Sequence, residues 1–495
     1  MGSNGYDVVV VGAGNAAMCA AMAVAGPGRR VLVLEKAPAS ERGGNSYFTG
    51  GGYRFAYDGM DQVHPLIPDL SDWDLAHTDV GSYTEDQYYD DMLRVTEYQT
   101  DPELANFLVT RSYPAMRWMQ QQGMTYALMT GRQAFKVGDV FRFWGGLTVE
   151  GAGGGPGISD RWFALAKPRG IPVSYETRAR KLLQDRRGTV TGVEVETRDG
   201  REEIPAKAVV IASGGFEANP ALRSQWLGPR WDQAKVRGTR HNVGDGILMA
   251  LEAGAQPYGN WSGCHAVAWD LNAPTFGDRK VGDGFQKHSY PFGLIVNLHG
   301  ERFVDEGADF RNYTYAKYGR DILQQPERTA FQLFDQKVMD LLRAEYRIPQ
   351  ITKASAGTIG ELADKLGIDR AGLERTVADY NAAVLDGDFN PTVKDGKSTA
   401  GIAPPKTNWA QRLDTPPYEG YAVTCGITFT FGGLKVNTRA EVLDMDDRPI
   451  RGLYAAGELV GGLFAGNYPG GAGLMSGSVF GRAAGESAVE YLARS

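Results

Sequence analysis

The segment from Tyr6 to Lys36, YDVVVVGAGNAAMCAAMAVAGPGRRVLVLEK, has the pattern of a strand, a tight glycine turn, a helix and a second strand. Val8 to Val11 is a continuous β-branched run, which is typical of a parallel strand buried on both faces. The predicted helix covers about Asn15 to Ala25, and Val31 to Leu34 forms the second strand. This βαβ unit predicts an α/β fold around which the rest of the chain is arranged.

Three small residues in the turn follow a phosphate-binding pattern. Gly12, Gly14 and Ala17 fill the spacing G-x-G-x-x-G/A: the first allows the turn, the second lets a pyrophosphate approach the backbone, and the third lets the helix pack on the strand. Glu35 ends the second strand, where a carboxylate accepts hydrogen bonds from ribose hydroxyls. We therefore predict dinucleotide binding. The alternative is a structural βαβ unit without a ligand.

A second glycine-rich loop follows closely. It contains Arg42 to Ser46, RGGNS, and then Thr49 to Gly52, TGGG. Two glycine loops so near each other are unusual for a nicotinamide enzyme, and they suit a large flat ring that needs backbone on both sides. This favours a flavin over NAD, whereas the alternative is an ordinary surface loop.

Further glycine turns follow predicted strands later in the chain. The strand Ala208 to Ala212 leads into Ser213 and Gly214, and the strand Gly452 to Ala456 leads into Gly457 and Glu458. Turns at the carboxyl ends of parallel strands are where such folds bind ligands. The predicted cofactor-binding residues are Gly12, Gly14, Asn15, Ala16, Ala17, Glu35, Lys36, Arg42, Gly43, Gly44, Asn45, Ser46, Gly51, Ala212, Ser213, Gly214, Asp245, Gly457, Glu458, Gly473, Leu474 and Met475.

Composition excludes several classes of protein. The net charge of −7 argues against nucleic acid as a main partner. The three cysteines, Cys19, Cys264 and Cys425, are far apart and form no C-x-x-C pair, so we predict no disulfide framework, metal site or c-type haem. Val8 to Ala25 is apolar but is interrupted by glycines and lacks a basic flank, so we predict no signal peptide or transmembrane segment and a cytoplasmic location.

The sequence pattern divides the chain into three parts. Residues 1–262 form the first part of the predicted nucleotide-binding domain, 263–408 an inserted α+β domain, and 409–495 the closing segment. The glycine-led pattern changes within the middle part, which contains predicted helices around Gln332 to Arg343 and Ile359 to Val384. The predicted fold class is therefore α/β, with a discontinuous Rossmann-like domain and an inserted α+β domain.

Several segments resemble the fumarate reductase and succinate dehydrogenase flavoprotein family. They are VVVGAGNAA, RGGNS, ASGGF, GDGILMALEAGA, LIVNLHGERFVDE, GLYAAGELVGG and GNYPGGAGLMSG, in the family's order across nearly the whole chain. GCHAVAWD and GERFVDEGADFRNYTYAKYG look most like the tricarballylate dehydrogenase branch. The resemblance implies FAD as the cofactor, a Rossmann-like FAD-binding domain and an inserted capping domain that contributes to substrate binding.

The chain departs from the family at functional positions. Asn45 occupies the place of the histidine that attaches FAD covalently in succinate dehydrogenases, so we expect non-covalent FAD. Tyr468 occupies the place of an arginine that binds a substrate carboxylate, and Gln286 and Ser289 lie near the places of the proton-relay pair. Plain fumarate or succinate activity is therefore not expected. A tyrosine before Pro-Gly also resembles ketosteroid dehydrogenases, where it binds a ketone.

The resemblance also assigns catalytic roles. It implies Arg311 as the proton carrier, with one residue more between Glu306 and Arg311 than in the family pattern. The alternative role of Arg311 is bidentate carboxylate binding. Tyr313 is a rival base. The remaining candidates are His265 and Tyr468, as substrate contacts, and Arg302 with Glu306, as a supporting ion pair.

These residues predict an enzyme that oxidises a C–C single bond beside a carboxylate or carbonyl, of the tricarballylate-to-aconitate type. Such chemistry sends a hydride to the flavin and a proton to a base, here Arg311 or Tyr313. One alternative is a ketone-type desaturase of a bulkier substrate, and another is an electron-relay flavoprotein subunit. The predicted partners are a small carboxylate or ketone substrate and an electron acceptor or redox partner that the motifs leave undefined.

Overall fold

A parallel β-sheet built around the first strand organises the molecule, in a computed structural model that describes residues 5–494. Val10 pairs with Val33 on one side and with Val210 on the other, and all three are fully buried. The predicted strands at Val8–Val11 and Val31–Leu34 are confirmed. The parallel strands are, in spatial order, Pro449–Ala455, Gly200–Ile211, Tyr6–Val11, Val31–Leu34 and Val173–Ser174.

Three antiparallel strands extend this sheet to eight. The long strand Gly200–Ile211 pairs in parallel at its carboxyl end, while its first half pairs antiparallel with Val190–Thr197. Arg178–Gln184 pairs with Val190–Thr197, and Glu441–Leu443 pairs with the strand Pro449–Ala455. The carboxyl ends of the central strands, where ligands bind in such sheets, remain open.

Two helices pack together beneath those carboxyl ends. The helix Asn15–Val24 lies against the C-terminal helix Ala472–Arg494. A Cβ atom at Gly481 would overlap the carbonyl oxygen of Ala16, and Gly485 approaches the same helix as closely one turn later. Because glycine allows this backbone contact, the amino ends of both helices meet at the same edge of the sheet.

The structure contains a second sheet of six strands. Tyr418–Thr430 is its hub, because four of the other strands pair with it. This hub and Lys235–Val236 both lie outside the range 263–408, so the predicted inserted domain does not contain its whole sheet. The division into domains otherwise stays a prediction. The strands are Lys235–Val236, Cys264–Asp270, Leu294–Val296, Ala330–Phe334, Lys353–Ala356 and Tyr418–Thr430.

One helix prediction was wrong. Within Gln332 to Arg343, the chain continues the buried strand Ala330–Phe334 and then forms a 3-10 turn at Gln336–Leu341. The spacing of apolar residues does not distinguish a short buried helix from a strand that is buried on both faces. In contrast, the predicted helical region from Ile359 to Val384 contains the helices Ile359–Leu366 and Arg370–Ala383.

The remaining elements surround these two sheets and complete the mixed α/β fold. None of the helices within residues 5–494 is both long and apolar enough to cross a membrane. The other helices are Met60–Val63, Asp72–Ala76, Glu85–Val95, Pro102–Gln122, Thr130–Gln133, Gly154–Ala166, Pro220–Trp226, Asp245–Glu252 and Tyr315–Leu323. The other strands are Gly52–Tyr53, Thr78–Asp79, Tyr126–Leu128, Ala134–Val137, Val140–Phe143, Val149–Gly151, Pro257–Tyr258 and Gly433–Leu434.

Candidate functional site

A large cleft opens at the carboxyl ends of the parallel strands. It is lined by residues of both sheets, from Val11 and Leu34 to His265 and Phe429. The lining thus extends from the glycine turn of the first sheet to the long strand of the second sheet.

The glycine turn and the first helix form one end of the cleft. Gly12 has a φ angle of +104°, and a Cβ atom there would overlap the carbonyl oxygen of Ala212. The backbone N–H of Asn15 donates to the hydroxyl of Ser46 at 3.0 Å, which ties the second glycine loop to the amino end of the helix. The turn, the loop and the helix dipole thus fit a pyrophosphate group.

Glu35 and Asp245 provide two carboxylates on this side. Glu35 is buried and accepts a hydrogen bond from the N–H of Ala37 at 2.8 Å. Burial raises the pKa of Glu35 to about 7. Burial also opposes ionisation of Asp245, but hydrogen bonds from Arg178 and Lys36 outweigh it and lower the Asp245 pKa. Of the two, Glu35 has the position that fits ribose hydroxyls.

The side-chain amide of Asn45 forms three hydrogen bonds within the protein. Its nitrogen donates to Glu217 at 2.5 Å and to the carbonyl of Thr428 at 2.6 Å, while its oxygen accepts from the N–H of Thr239 at 2.8 Å. The loop that carries Asn45 is thereby joined to the long strand of the second sheet.

Most predicted cofactor-binding residues line the cleft, and five do not. Ala17 and Met475 are buried in the helix packing, and Arg42 contacts Tyr175 and Asp160. Gly43 and Gly51 allow tight turns behind the lining. The residues that line the cleft are Gly12, Gly14, Asn15, Ala16, Glu35, Lys36, Gly44, Asn45, Ser46, Ala212, Ser213, Gly214, Asp245, Gly457, Glu458, Gly473 and Leu474.

Guanidinium groups form one wall of the inner cleft. Arg237 donates to one oxygen of the buried Asp283 at 2.8 Å, and Arg132 donates to the other at 2.6 Å. Gln286 donates to Asp283 as well. One carboxylate thus holds two guanidinium groups in fixed positions at the lining.

Arg311 adds a third guanidinium to this wall. It is buried, its Nη2 donates to the carbonyl oxygen of Arg132, and it forms no ion pair within residues 5–494. Burial lowers the pKa of Arg311, Glu345 partly offsets this effect, and the charge of Arg132 adds to it. Arg311 is therefore the cation of the cleft that most lacks a counter-charge.

Aromatic side chains form another part of the cleft lining. The hydroxyl groups of Tyr315 and Tyr468 are hydrogen-bonded to each other, and the ring of His265 lies between these tyrosines and Phe429. Neither ring nitrogen of His265 has a hydrogen-bond partner in the part of the chain that the structure describes. Burial, with a smaller contribution from Arg237, lowers the His265 pKa far below its ordinary value, so the ring is neutral.

Three predicted catalytic residues lie outside the cleft lining. The hydroxyl of Tyr313 donates to Asp91 at 2.7 Å, so Tyr313 does not fit the role of a substrate base. Arg302 and Glu306 form a buried ion pair at 2.6 Å, which agrees with a supporting role. Arg302 also donates to the carbonyl of Pro404, which lies near the end of the predicted inserted domain.

Sequence reasoning missed four residues that line the inner cleft. They are Arg132, Arg237, Asp283 and Tyr315. Arg132 lies in a short helix and Asp283 in a loop, and no local pattern distinguishes either from a surface charge. Tyr315 had a sequence signal, because it lies two residues after Tyr313 in the segment NYTYAKY.

Comparisons with known proteins identify the family of the chain. A protein family described as FAD binding domain matches residues 7–474. A protein of Shewanella frigidimarina (strain NCIMB 400) named a probable fumarate reductase is 30% identical over 98% of this chain and 75% of its own length. A 4-oxocyclohexanecarboxylate 2-dehydrogenase of Sinomonas cyclohexanicum is 29% identical over 94% of this chain and 89% of its own length.

A solved structure gives the same result for the fold. The open conformation of a flavocytochrome c3 fumarate reductase superimposes with a TM-score of 0.72 and 28% identity, covering 98% of this chain and 78% of that chain. The chain therefore belongs to the FAD binding domain family, among the fumarate reductase and related flavoproteins, and it is an FAD-dependent oxidoreductase acting on CH–CH groups.

Proposed function

We propose that this enzyme converts the CH–CH bond of a small polycarboxylic acid to C=C, with tricarballylate to aconitate as the type reaction. The observation that carries this proposal is the group of three guanidinium side chains at the lining, Arg132, Arg237 and Arg311. Asp283 pairs with the first two, while Arg311 forms no ion pair within residues 5–494 and is only partly offset by Glu345. A substrate that carries more than one carboxylate complements such a cluster of guanidinium groups.

The remaining chemistry requires a hydride acceptor and a proton acceptor. Bound FAD supplies the hydride acceptor. Arg311 is our choice for the proton acceptor, and it accepts the proton as a neutral guanidine. Burial lowers its pKa, and no carboxylate partner within residues 5–494 pairs with the charged form. Arg132 and Arg237 hold the carboxylate next to the carbon that loses the proton, since negative charge develops there.

The same proposal covers the attachment of FAD, the reoxidation of the flavin and the location of the protein. FAD binds non-covalently, because the amide of Asn45 is not a nucleophile and is fully hydrogen-bonded within the protein. An external electron acceptor reoxidises the flavin. A cytoplasmic location stays a prediction from the cysteine content.

A specific observation favours a second candidate, a keto acid substrate. The paired hydroxyl groups of Tyr315 and Tyr468 form a donor site in the same cleft as the arginine wall. Such a site stabilises the enolate oxygen of a ketone while an arginine holds a distant carboxylate. The dehydrogenase from Sinomonas cyclohexanicum is named for a substrate that carries both groups.

The test is anaerobic mixing of FAD-loaded protein with tricarballylate, followed by the visible absorbance of the flavin. Rapid bleaching supports the polycarboxylate proposal. If FAD is bound and is reduced by dithionite but not by tricarballylate, that substrate is wrong. A parallel trial with 4-oxocyclohexanecarboxylate then decides whether the keto acid candidate replaces it.

A further inference from the structure

Two carboxyl groups, Glu217 and Glu458, influence each other's ionisation at the wall of the cleft. Glu458 is half-buried and contributes to the lining, whereas Glu217 does not line the cleft and has 0% of its surface exposed. Within residues 5–494, neither carboxyl group forms an ion pair. Ionisation of Glu217 is therefore unfavourable, because its carboxyl group is removed from water and senses a second carboxylate.

The pattern of hydrogen bonds indicates which oxygen of a neutral Glu217 holds the proton. Glu458 Oε1 accepts from the backbone N–H of Thr430 at 2.7 Å and from its hydroxyl at 3.0 Å, as an ionised carboxylate would. Glu217 Oε1 accepts from the amides of Asn45 and Asn242 at 2.5 and 2.7 Å. Glu217 Oε2 has no donor among the described residues, which leaves it free to hold the proton.

Glu217 joins three separate segments of the cleft. Asn45 belongs to the second glycine loop, Asn242 precedes the helix Asp245–Glu252, and Glu458 follows the strand Pro449–Ala455. All three side chains line the cleft, whereas Glu217 itself does not. A single buried group therefore determines the relative position of three parts of the cofactor site.

We propose that Glu217 is a protonated carboxylic acid that shares its proton with Glu458 and positions the three cleft segments for FAD. Glu217 Oε2–H donates to the Glu458 carboxylate, and no bond to carbon changes. Glu217 is thus a positioning residue, acting through Asn45, Asn242 and Glu458.

The electrostatic surroundings agree with a neutral Glu217. Burial, followed by the charge of Glu458, raises the pKa of Glu217 well above its ordinary value. Arg223 and Cys264 also interact electrostatically with Glu217. Arg223 donates to the carbonyls of Ala234 and Asp232 rather than to this carboxyl group, and burial keeps the thiol of Cys264 protonated.

The first test is infrared spectroscopy of the full-length protein at pH 8, where Glu35, with its pKa of about 7, is mostly ionised. We expect a carbonyl stretching band of a protonated carboxyl group that shifts in D2O and is lost in Glu217→Gln. Glu345→Gln removes another buried glutamate and retains the band. If the wild-type band survives in Glu217→Gln, the proposal is wrong.

The second test is the dissociation constant for FAD, measured by flavin fluorescence. Glutamine has the same hydrogen-bonding pattern as a protonated glutamic acid, since its oxygen accepts from both asparagines and its N–H donates to Glu458. Glu217→Gln is therefore expected to bind FAD within about threefold of wild type, and Glu217→Ala about 10- to 100-fold more weakly. Equal loss in both variants contradicts the proposal. If the alanine variant does not fold, Glu217→Asp replaces it, since its shorter side chain does not span the three partners.

Discussion

The hydroxyl groups of Tyr315 and Tyr468 hydrogen-bond to each other at the lining of the cleft, although 153 positions separate them in the sequence. Tyr315 begins the helix Tyr315–Leu323 beside the second sheet, while Tyr468 lies in the loop before the C-terminal helix. The contact therefore joins two segments that are far apart in the sequence. One hydroxyl donates to the other, so the pair retains one O–H that can donate to a ligand. The lining thus contains an aromatic, hydroxyl-bearing group as well as the guanidinium groups of Arg132, Arg237 and Arg311.

Removing one hydroxyl of this pair separates the two candidate substrates. Tyr468→Phe is expected to lower kcat/KM for a ketone substrate about 10²- to 10³-fold, because an enolate oxygen loses a donor. With a polycarboxylate that uses only the arginine wall, the change is expected to stay below about tenfold. Steady-state kinetics with both substrates check this. A similar loss with both substrates, or with neither, contradicts the assignment of the hydroxyl pair and the arginine wall.

Arg311→Lys tests the proton acceptor. Lysine keeps the positive charge but is shorter and lacks the guanidinium that reaches the carbonyl of Arg132. We expect kcat to fall about 10²- to 10⁴-fold with unchanged FAD content and flavin spectrum. Arg142→Lys is the matched control, since Arg142 is exposed and pairs only loosely with Asp79. A kcat within threefold of wild type would show that Arg311 does not carry the proton.

Glu35 predicts a pH dependence of the FAD-free protein. Its folded pKa of about 7 lies above the ordinary 4.5, so the folded protein binds more protons than the unfolded chain between these pH values. Stability therefore falls as pH rises from about 5 to 8, by about 3 kcal/mol from this group. Urea unfolding across that range checks the slope. Glu35→Gln lacks this contribution, so a wild type and variant with parallel pH profiles contradict the prediction.

The same carboxyl group predicts tighter FAD binding at higher pH. Ribose hydroxyls donate to a carboxylate, so binding favours the ionised form of Glu35 and releases a proton. We expect the dissociation constant for FAD to decrease from pH 6 to pH 8 in the wild type. Glu35→Gln is expected to bind FAD more weakly and with a smaller dependence on pH. Fluorescence titration at both pH values provides the measurement.

Denaturation tests the attachment of FAD. Since Asn45 has an amide where attachment requires a nucleophilic side chain, all flavin is expected to leave the protein on acid precipitation. The intact mass of the denatured chain then equals that of the polypeptide alone. A mass increase equal to one FAD would overturn non-covalent binding.

Glycine at position 481 tests the helix packing that forms the cofactor end of the cleft. Gly481→Ala is expected to destabilise the protein by about 1–3 kcal/mol and to weaken FAD binding, because its Cβ atom would overlap the carbonyl of Ala16. Gly131→Ala is the control, since no atom lies within 4 Å of the added Cβ and its φ angle is not left-handed. Chemical denaturation is expected to show no loss of stability in the control.

The sequence by itself determined the first βαβ unit and the candidate cofactor residues. The strands at Val8–Val11 and Val31–Leu34, the helix from Asn15 and the glycine turn between them form within one continuous segment. Local composition is sufficient there, because β-branched runs, glycine spacing and an acidic strand end each depend on neighbours in the chain. Most of the predicted cofactor residues accordingly line one cleft.

The tertiary structure alone decided the arrangement of the substrate side. Arg132, Arg237 and Asp283 come from segments that are far apart in the sequence. Tyr313 and Tyr315, two residues apart, face different surroundings. A charged side chain has the same local pattern whether it lies at the surface or in a cleft. Its role depends on long-range contacts that bury it and supply or withhold a counter-charge, and no short segment encodes those contacts.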